Sequence, residues 1–131
     1  MSGPAAAGVL IYAKHRDALA SFYGQVLGMQ QLHRDEHLTV MASSQLQLVI
    51  HAMPEAIASQ VSIASPPVRR ENVALKFFAT VPSIAETVRA AEALGGQVFD
   101  ERWQGPDFAL CNAMDCEGNV FQLREWTAGH A

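Results

Sequence analysis

Apolar positions along this chain change period twice in the same way. Val9 to Ala13 reads as a short buried strand. From about Asp17 to Leu27, the residues Leu19, Phe22, Tyr23, Val26 and Leu27 recur near helical spacing and give a helix one apolar face. Gly28 is its natural stop, because glycine accepts the left-handed conformation past a helix end. Three strands are predicted next, over Gln30–Asp35, His37–Ala42 and Gln45–His51. The last alternates cleanly, with Leu46, Leu48 and Ile50 on one face and Gln45, Gln47, Val49 and His51 on the other. Met53 to Arg70, with Pro54, Pro66 and Pro67, is a connection with room for a helical turn around Glu55 to Gln60.

The order then repeats. Val73 to Ala79 reads as a strand, and Pro82 opens a helix at its tolerated first turn. That helix runs to about Leu94, where Gly95 and Gly96 stop it. Gln97–Trp103, Phe108–Ala113 and Asn119–Trp126 read as three more strands. Asp115-Cys116-Glu117-Gly118-Asn119 supplies a turn, with the Asp115 carboxylate bonding nearby backbone N–H groups. Val26-Leu27-Gly28-Met29-Gln30 sits where Ala93-Leu94-Gly95-Gly96-Gln97 sits later, and Gln45-Leu46-Gln47-Leu48 resembles Val120-Phe121-Gln122-Leu123. Each half is strand, helix, then three strands, and such a repeat suggests two like modules sharing one core.

Composition narrows the picture. The 131 residues, 50% of them hydrophobic, suffice for one domain-sized core. Charged residues make up 17%, the net charge is -4, and no basic stripe appears, which argues against a nucleic-acid partner. Cys111 and Cys116 make no secreted disulfide framework and fit free thiols in a reduced cytosol. The apolar start from Met1 to Ala13 lacks the positive region of a signal peptide and is cut short by Lys14 and His15. No apolar run approaches the roughly 20 residues needed to cross a bilayer. A cytoplasmic protein without a membrane partner is expected.

The same landmarks resemble the vicinal oxygen chelate superfamily, which includes glyoxalases, bleomycin resistance proteins and extradiol dioxygenases. The match rests on Ser21-Phe22-Tyr23, Val26-Leu27-Gly28, Ala93-Leu94-Gly95-Gly96 and the stretch from Asp115 to Leu123. The family often reads Asp-Pro-Asp-Gly-Asn, two residues, Glu-Leu at that last stretch. Here Cys116 replaces the proline, Glu117 the second aspartate and Gln122 the glutamate. The resemblance spans Gly8 to Trp126 and implies an α+β fold, two βαβββ modules in tandem forming a cupped mixed sheet. It implies one glyoxalase-like domain, with module one at about 8–52, a connection at about 53–71 and module two at about 72–126. It also implies a homodimer. Enzymes of the family hold a divalent metal as a Lewis acid, through His, Gln or Glu on each module's first strand and Glu on its last. Carried over by position, those sites fall at Gly8, Asn72, Gln47 and Gln122. Two Gln and one Asn offer neither charge nor imidazole, so no metal and no other cofactor is expected. A slip of one or two residues would bring in His15 or His51.

If Gln47 and Gln122 face the cup, alternation assigns their neighbours. Val120, Arg124 and Trp126 share the Gln122 face, while Phe121 and Leu123 point to a helix. Asn72 parity turns Ala74, Lys76 and Phe78 inward and Val73, Leu75 and Phe77 onto the helix; Gly8 parity turns Leu10 and Tyr12 inward. The expected ligand-binding set is Tyr12, Gln47, His51, Lys76, Phe78, Gln122, Arg124 and Trp126, with no catalytic residue assigned. Plainer roles compete. The two glutamines can bond across a half-solvated sheet, and Arg124 and Lys76 can reach solvent over buried stems. Trp103, Trp126, Phe78 and Tyr12 can be packing residues, and His51 an ordinary surface or core histidine. His33, His37 and His130 carry no motif. The function expected is binding of a small anionic or oxygen-rich aromatic molecule without a catalytic metal. The alternatives are a metal-dependent lyase, isomerase or dioxygenase of the glyoxalase type, and a dimeric interaction module.

Overall fold

The computed structural model describes residues 5–127; residues 1–4 and 128–131, His130 among them, lie outside. The chain divides into two compact units, one ending at Ser62 and the other starting at Ile63. No described helix is long and apolar enough to cross a membrane.

The first unit comprises β1 (Val9–Ala13), α1 (Arg16–Val26), β2 (Gln30–Arg34), β3 (Leu38–Ala42), β4 (Gln47–Ala52) and α2 (Glu55–Ala58). Its sheet runs β1-β4-β3-β2, with β1 parallel to β4 and the other pairs antiparallel. The predicted helical stripe is the buried one: Leu19, Phe22, Tyr23 and Val26 of α1 are buried, as are Leu48, Ile50 and Met41 of the sheet. Burying each such side chain contributes roughly 1.5–3 kcal/mol, so this sheet face holds the helix. The opposite face, with Leu10, Tyr12, Val40, Val49 and His51, stays open. The β2–β3 turn is tied by Asp35, whose Oδ1 accepts the His37 and Leu38 backbone N–H groups at 2.8 and 3.1 Å. Those bonds, the His37 one first, and the His33 ring hold its carboxyl well below the usual range.

The second unit comprises β5 (Phe78–Thr80), α3 (Ile84–Ala93), β6 (Gln97–Val98), β7 (Trp103–Gln104), β8 (Phe108–Met114) and β9 (Val120–Trp126). Its sheet runs β5-β9-β8-β6, and β7 also pairs with β8. Phe121 and Leu123 of β9 are fully buried with Ala91 of α3, the helix side that alternation assigned them. The Glu125 carboxylate lies on that side too. Its Oε1 accepts the Ile84 N–H at 2.6 Å, where the helix dipole favours negative charge. Asp115 is fully buried and does what its turn position predicts. Its Oδ1 accepts the Glu117 N–H at 2.9 Å and the Asn119 N–H at 3.1 Å. Gly118 in the same turn has φ 87, and a Cβ there would lie 2.3 Å from the Val68 carbonyl oxygen.

Four expectations need correction. The strand expected over Val73–Ala79 is confined to Phe78–Thr80, and Asn72 sits at φ 59, off any ladder. Val73 and Leu75 are 56% and 88% exposed instead of packed on a helix, because alternation fixes a face only where a strand is paired. The single strand expected over Gln97–Trp103 is two. Both pair with β8, and the charged run Asp100-Glu101-Arg102 leaves the ladder between them. Pro82 does not open α3. Ser83 is its N-cap, its hydroxyl accepting the Glu86 N–H at 3.2 Å, and Pro82 stands one residue before the cap.

Candidate functional site

Pairing registers fix which side chains share each open face. In the first unit Leu10 pairs with Val49 and Tyr12 with His51. In the second, Phe78 pairs with Gln122 and Thr80 with Arg124. Leu10 and Phe78 each stand six residues before their unit's helix, so the two registers match. Gln122 therefore corresponds to Val49, Arg124 to His51 and Gln47 to Val120. The repeat read from Gln45–Leu48 and Val120–Leu123 is slipped by two residues. The turn before the last strand also differs, residues 43–46 in the first unit and 115–119 in the second. A slip of two keeps parity, so the faces assigned within the paired strands survive. The counterpart of Gly8 becomes Lys76, and Asn72 drops out.

The open face of the second unit carries a dense constellation. The β8–β9 register puts Phe108 opposite Trp126, Leu110 opposite Arg124 and Asn112 opposite Gln122. Trp103 joins through its pairing with Leu110. The Arg124 guanidinium carbon lies 3.6 Å from the Phe78 ring centroid and 4.7 Å from that of Phe108. Its Nε donates to Gln122 Oε1 at 2.8 Å. Lys76 Nζ donates to Asn112 Oδ1 at 2.9 Å. Phe108 and Trp126 meet edge to face, with centroids 6.4 Å apart. Phe78 and Trp126 remain 53% and 47% exposed, which leaves aromatic surface open beside the cation. No strand residue sharing this face is acidic, and neither cation forms an ion pair among the described residues.

The open face of the first unit is different. Tyr12, 58% exposed, lies with its ring centroid 5.5 Å from His51, and the His37 ring is 6.5 Å from His51 in a nearly parallel plane. His51 Nδ1 is 2.8 Å from the Ala52 carbonyl oxygen. A carbonyl only accepts, so Nδ1 carries the proton, and in the neutral ring Nε2 presents a lone pair. Gly8 fits tightly: a Cβ there would come within 2.6 Å of the Gln47 carbonyl oxygen. Gly8, Leu10, Gln47 and Val49 line an open recess at that end.

The donor chemistry at the expected metal positions does not fit a divalent ion. Gly8 has no side chain, Asn72 is off the strand, and the Gln122 oxygen already faces a guanidinium. Among the described residues, no group of three His, Cys, Asp or Glu could hold a metal. His15 stands at the N-terminus of α1, away from the strand pairing that aligns Tyr12 with His51. Cys116 does not offer a thiolate. Burial, then the Asp115 and Glu117 carboxylates, push its thiol up to about 12.

Of the predicted residues, Lys76, Phe78, Gln122, Arg124 and Trp126 belong to the second unit's face, and Tyr12, Gln47 and His51 to the first unit's. Phe108 and Asn112 were missed, because β8 was read without its register to β9. Asn112 had a legible signal: a lone amide in an otherwise apolar strand from Phe108 to Met114.

A family model described as a glyoxalase-like domain matches residues 8–124. No curated protein gives a significant match. Solved structures do. A glyoxalase/bleomycin resistance protein/dioxygenase family enzyme from Burkholderia phytofirmans is 19% identical, with a TM-score of 0.69 over 91% of this chain and 96% of that one. The fosfomycin resistance protein FosX from Listeria monocytogenes is 15% identical, with a TM-score of 0.65 over 98% and 94%. A bleomycin-binding protein solved with bleomycin is 16% identical, with a TM-score of 0.60 over 93% and 98%. At these identities the likeness establishes the fold.

Proposed function

The chain belongs to the glyoxalase-like domain family, and from that premise we propose that it binds a small molecule carrying an anionic or oxygen-rich group on an aromatic body, without a catalytic metal. The site is the open sheet face of the second unit. The observation that carries the reading is Arg124, stacked 3.6 Å over Phe78 and joined to no carboxylate among the described residues. A guanidinium keeps its charge at every physiological pH and grips planar oxyanions through paired N–H donors. Phe78, Phe108 and Trp126 offer the apolar surround that small-molecule sites use around a few placed polar groups. A divalent ion at Gln122 would sit beside that guanidinium and be repelled by it. The likeness in fold to a bleomycin-binding protein solved with bleomycin supports a small-molecule-binding reading.

Titration of tryptophan fluorescence with benzoate, benzyl alcohol and benzylamine tests the reading. Benzoate should bind best, and Arg124→Ala should weaken it about tenfold or more, the loss of one charged hydrogen bond. Preference for benzylamine, or an unchanged benzoate affinity in Arg124→Ala, contradicts it.

A glyoxalase-type enzyme is the second reading, favoured by His51. Its Nε2 lone pair on the first unit's open face, beside Tyr12, suits a general base. The homodimer belongs to the proposal too. Val68 and Leu75, at 70% and 88% exposure, offer apolar surface that a second copy would cover. Light scattering at micromolar concentration should give twice the chain mass; a monomer counts against it. Two free thiols, Cys111 and Cys116, fit a reducing cytoplasm.

A further inference from the structure

Two observations about the second unit's open face stand apart from the cations themselves. Arg124 is held by Gln122 at 2.8 Å and Lys76 by Asn112 at 2.9 Å. In both cases the acceptor is a neutral amide oxygen. Asn112 and Gln122 are themselves register partners across β8 and β9. Elsewhere three arginines are held by carboxylates, Arg16 and Arg34 with Asp17 at 3.3 and 3.1 Å and Arg69 with Glu71 at 3.1 Å, while Arg70 and Arg102 donate to backbone carbonyls. Those carboxylates orient a cation and cancel its charge together. An amide orients it and leaves the charge standing.

We propose that the cross-strand pair Asn112–Gln122 is the specificity determinant of this face: it positions Lys76 and Arg124 without neutralising them, and so selects a planar oxyanion, of which an arylcarboxylate is the simplest case. The geometry also sets how the anion enters. A guanidinium has five N–H donors. One, on Nε, is committed to Gln122, and the Phe78 ring lies against the group at 3.6 Å. The four donors on the two Nη atoms remain, and two of them point off the end of the group in parallel. The carboxylate is received end-on there, its two oxygens on the two Nη atoms. Gln122 and Asn112 need not touch the ligand. They are positioning residues that act through Arg124 and Lys76.

The inference rests on the binding reading above, and charge-matched probes separate the two. Benzoate and benzyl alcohol have similar bodies, so the ratio of their affinities reads the charge of the site and not its packing. In the wild-type chain that ratio should favour benzoate by about tenfold or more. Gln122→Glu and Asn112→Asp should each bring it down several-fold, and together close to one, while benzyl alcohol affinity stays within about twofold. Gln122→Leu should weaken benzoate several-fold by freeing the guanidinium, yet keep a preference for benzoate. A merely structural role for the amides would lower both affinities together. Melting temperatures close to wild type confirm that each variant is folded, and Asn112→Asp gives an independent arm if Gln122→Glu is not. The inference is overturned if the folded acidic variants keep the wild-type ratio. If the wild-type chain itself shows no preference, or Arg124→Ala retains it, the binding reading falls and this inference with it.

Discussion

His51 and Arg124 occupy the same place in their two units, each one pair beyond the Leu10–Val49 or Phe78–Gln122 partnership on the open face. Around them the scaffolds agree: a parallel first and last strand, an antiparallel partner, and a helix on the far side. The chemistry does not agree. His51 presents an imidazole lone pair beside Tyr12, while Arg124 presents a fixed positive charge beside Phe78 and Phe108. The repeat dictates where a side chain points, and single residues at matched positions decide what it attracts. A fold-level likeness thus leaves the ligand open, as fold and function part company generally.

The largest contrast lies in the turns before the last strands. Cys116, in the second unit's turn, has its thiol pushed up from 9.0 to about 12. Alkylation by iodoacetamide in the native protein should therefore be about a thousandfold slower than for an ordinary exposed thiol at pH 8, since only the thiolate reacts. Rapid alkylation without unfolding would show that the turn is not closed as described. The same turn hangs on Asp115. Asp115→Ala removes two backbone bonds to a buried carboxylate and should cost about 3 kcal/mol in urea unfolding. Ser43→Ala, in the exposed counterpart turn, should cost under about 0.5 kcal/mol. Equal losses would erase the distinction.

The faces themselves give the next effect. Arg124→Ala should weaken benzoate about tenfold, and His51→Ala should leave it within about twofold. A reversed order would move the site to the first unit. The smallest effect concerns Thr39, whose buried hydroxyl has no partner among the described residues. Thr39→Val should raise stability by about 1 kcal/mol, the cost of an unsatisfied buried hydroxyl removed. A loss of stability would reveal a partner for it.

Most of the fold was legible in the sequence because helical stripes and strand alternation are local. The Leu19, Phe22, Tyr23 and Val26 stripe, the strand from Val9 to Ala13 and the turn at Asp115 needed no distant partner to be read. The misreadings arose where pairing decides. Val73 to Phe77 has strand-like composition but no ladder, and Asp100 to Arg102 interrupts one. The site followed the same division. Parity put Arg124, Gln122, Trp126 and Phe78 on one face, because a two-residue slip preserves parity. Phe108 and Asn112 came into view only through the β8–β9 register, which no single-strand pattern contains. The role of Gln122 was equally hidden, since a glutamine in a strand does not announce which donor it will accept.

The central claim is that the anion-binding face belongs to the second unit and centres on Arg124. Nuclear magnetic resonance of the uniformly nitrogen-15-labelled chain, titrated with benzoate, tests it most directly. The Arg124 Nε–H signal and the indole N–H signals of Trp103 and Trp126 should shift in a saturable way, with the backbone signals of Tyr12 and His51 unmoved. Saturable shifts centred on Tyr12 and His51, with Arg124 unchanged, would contradict it.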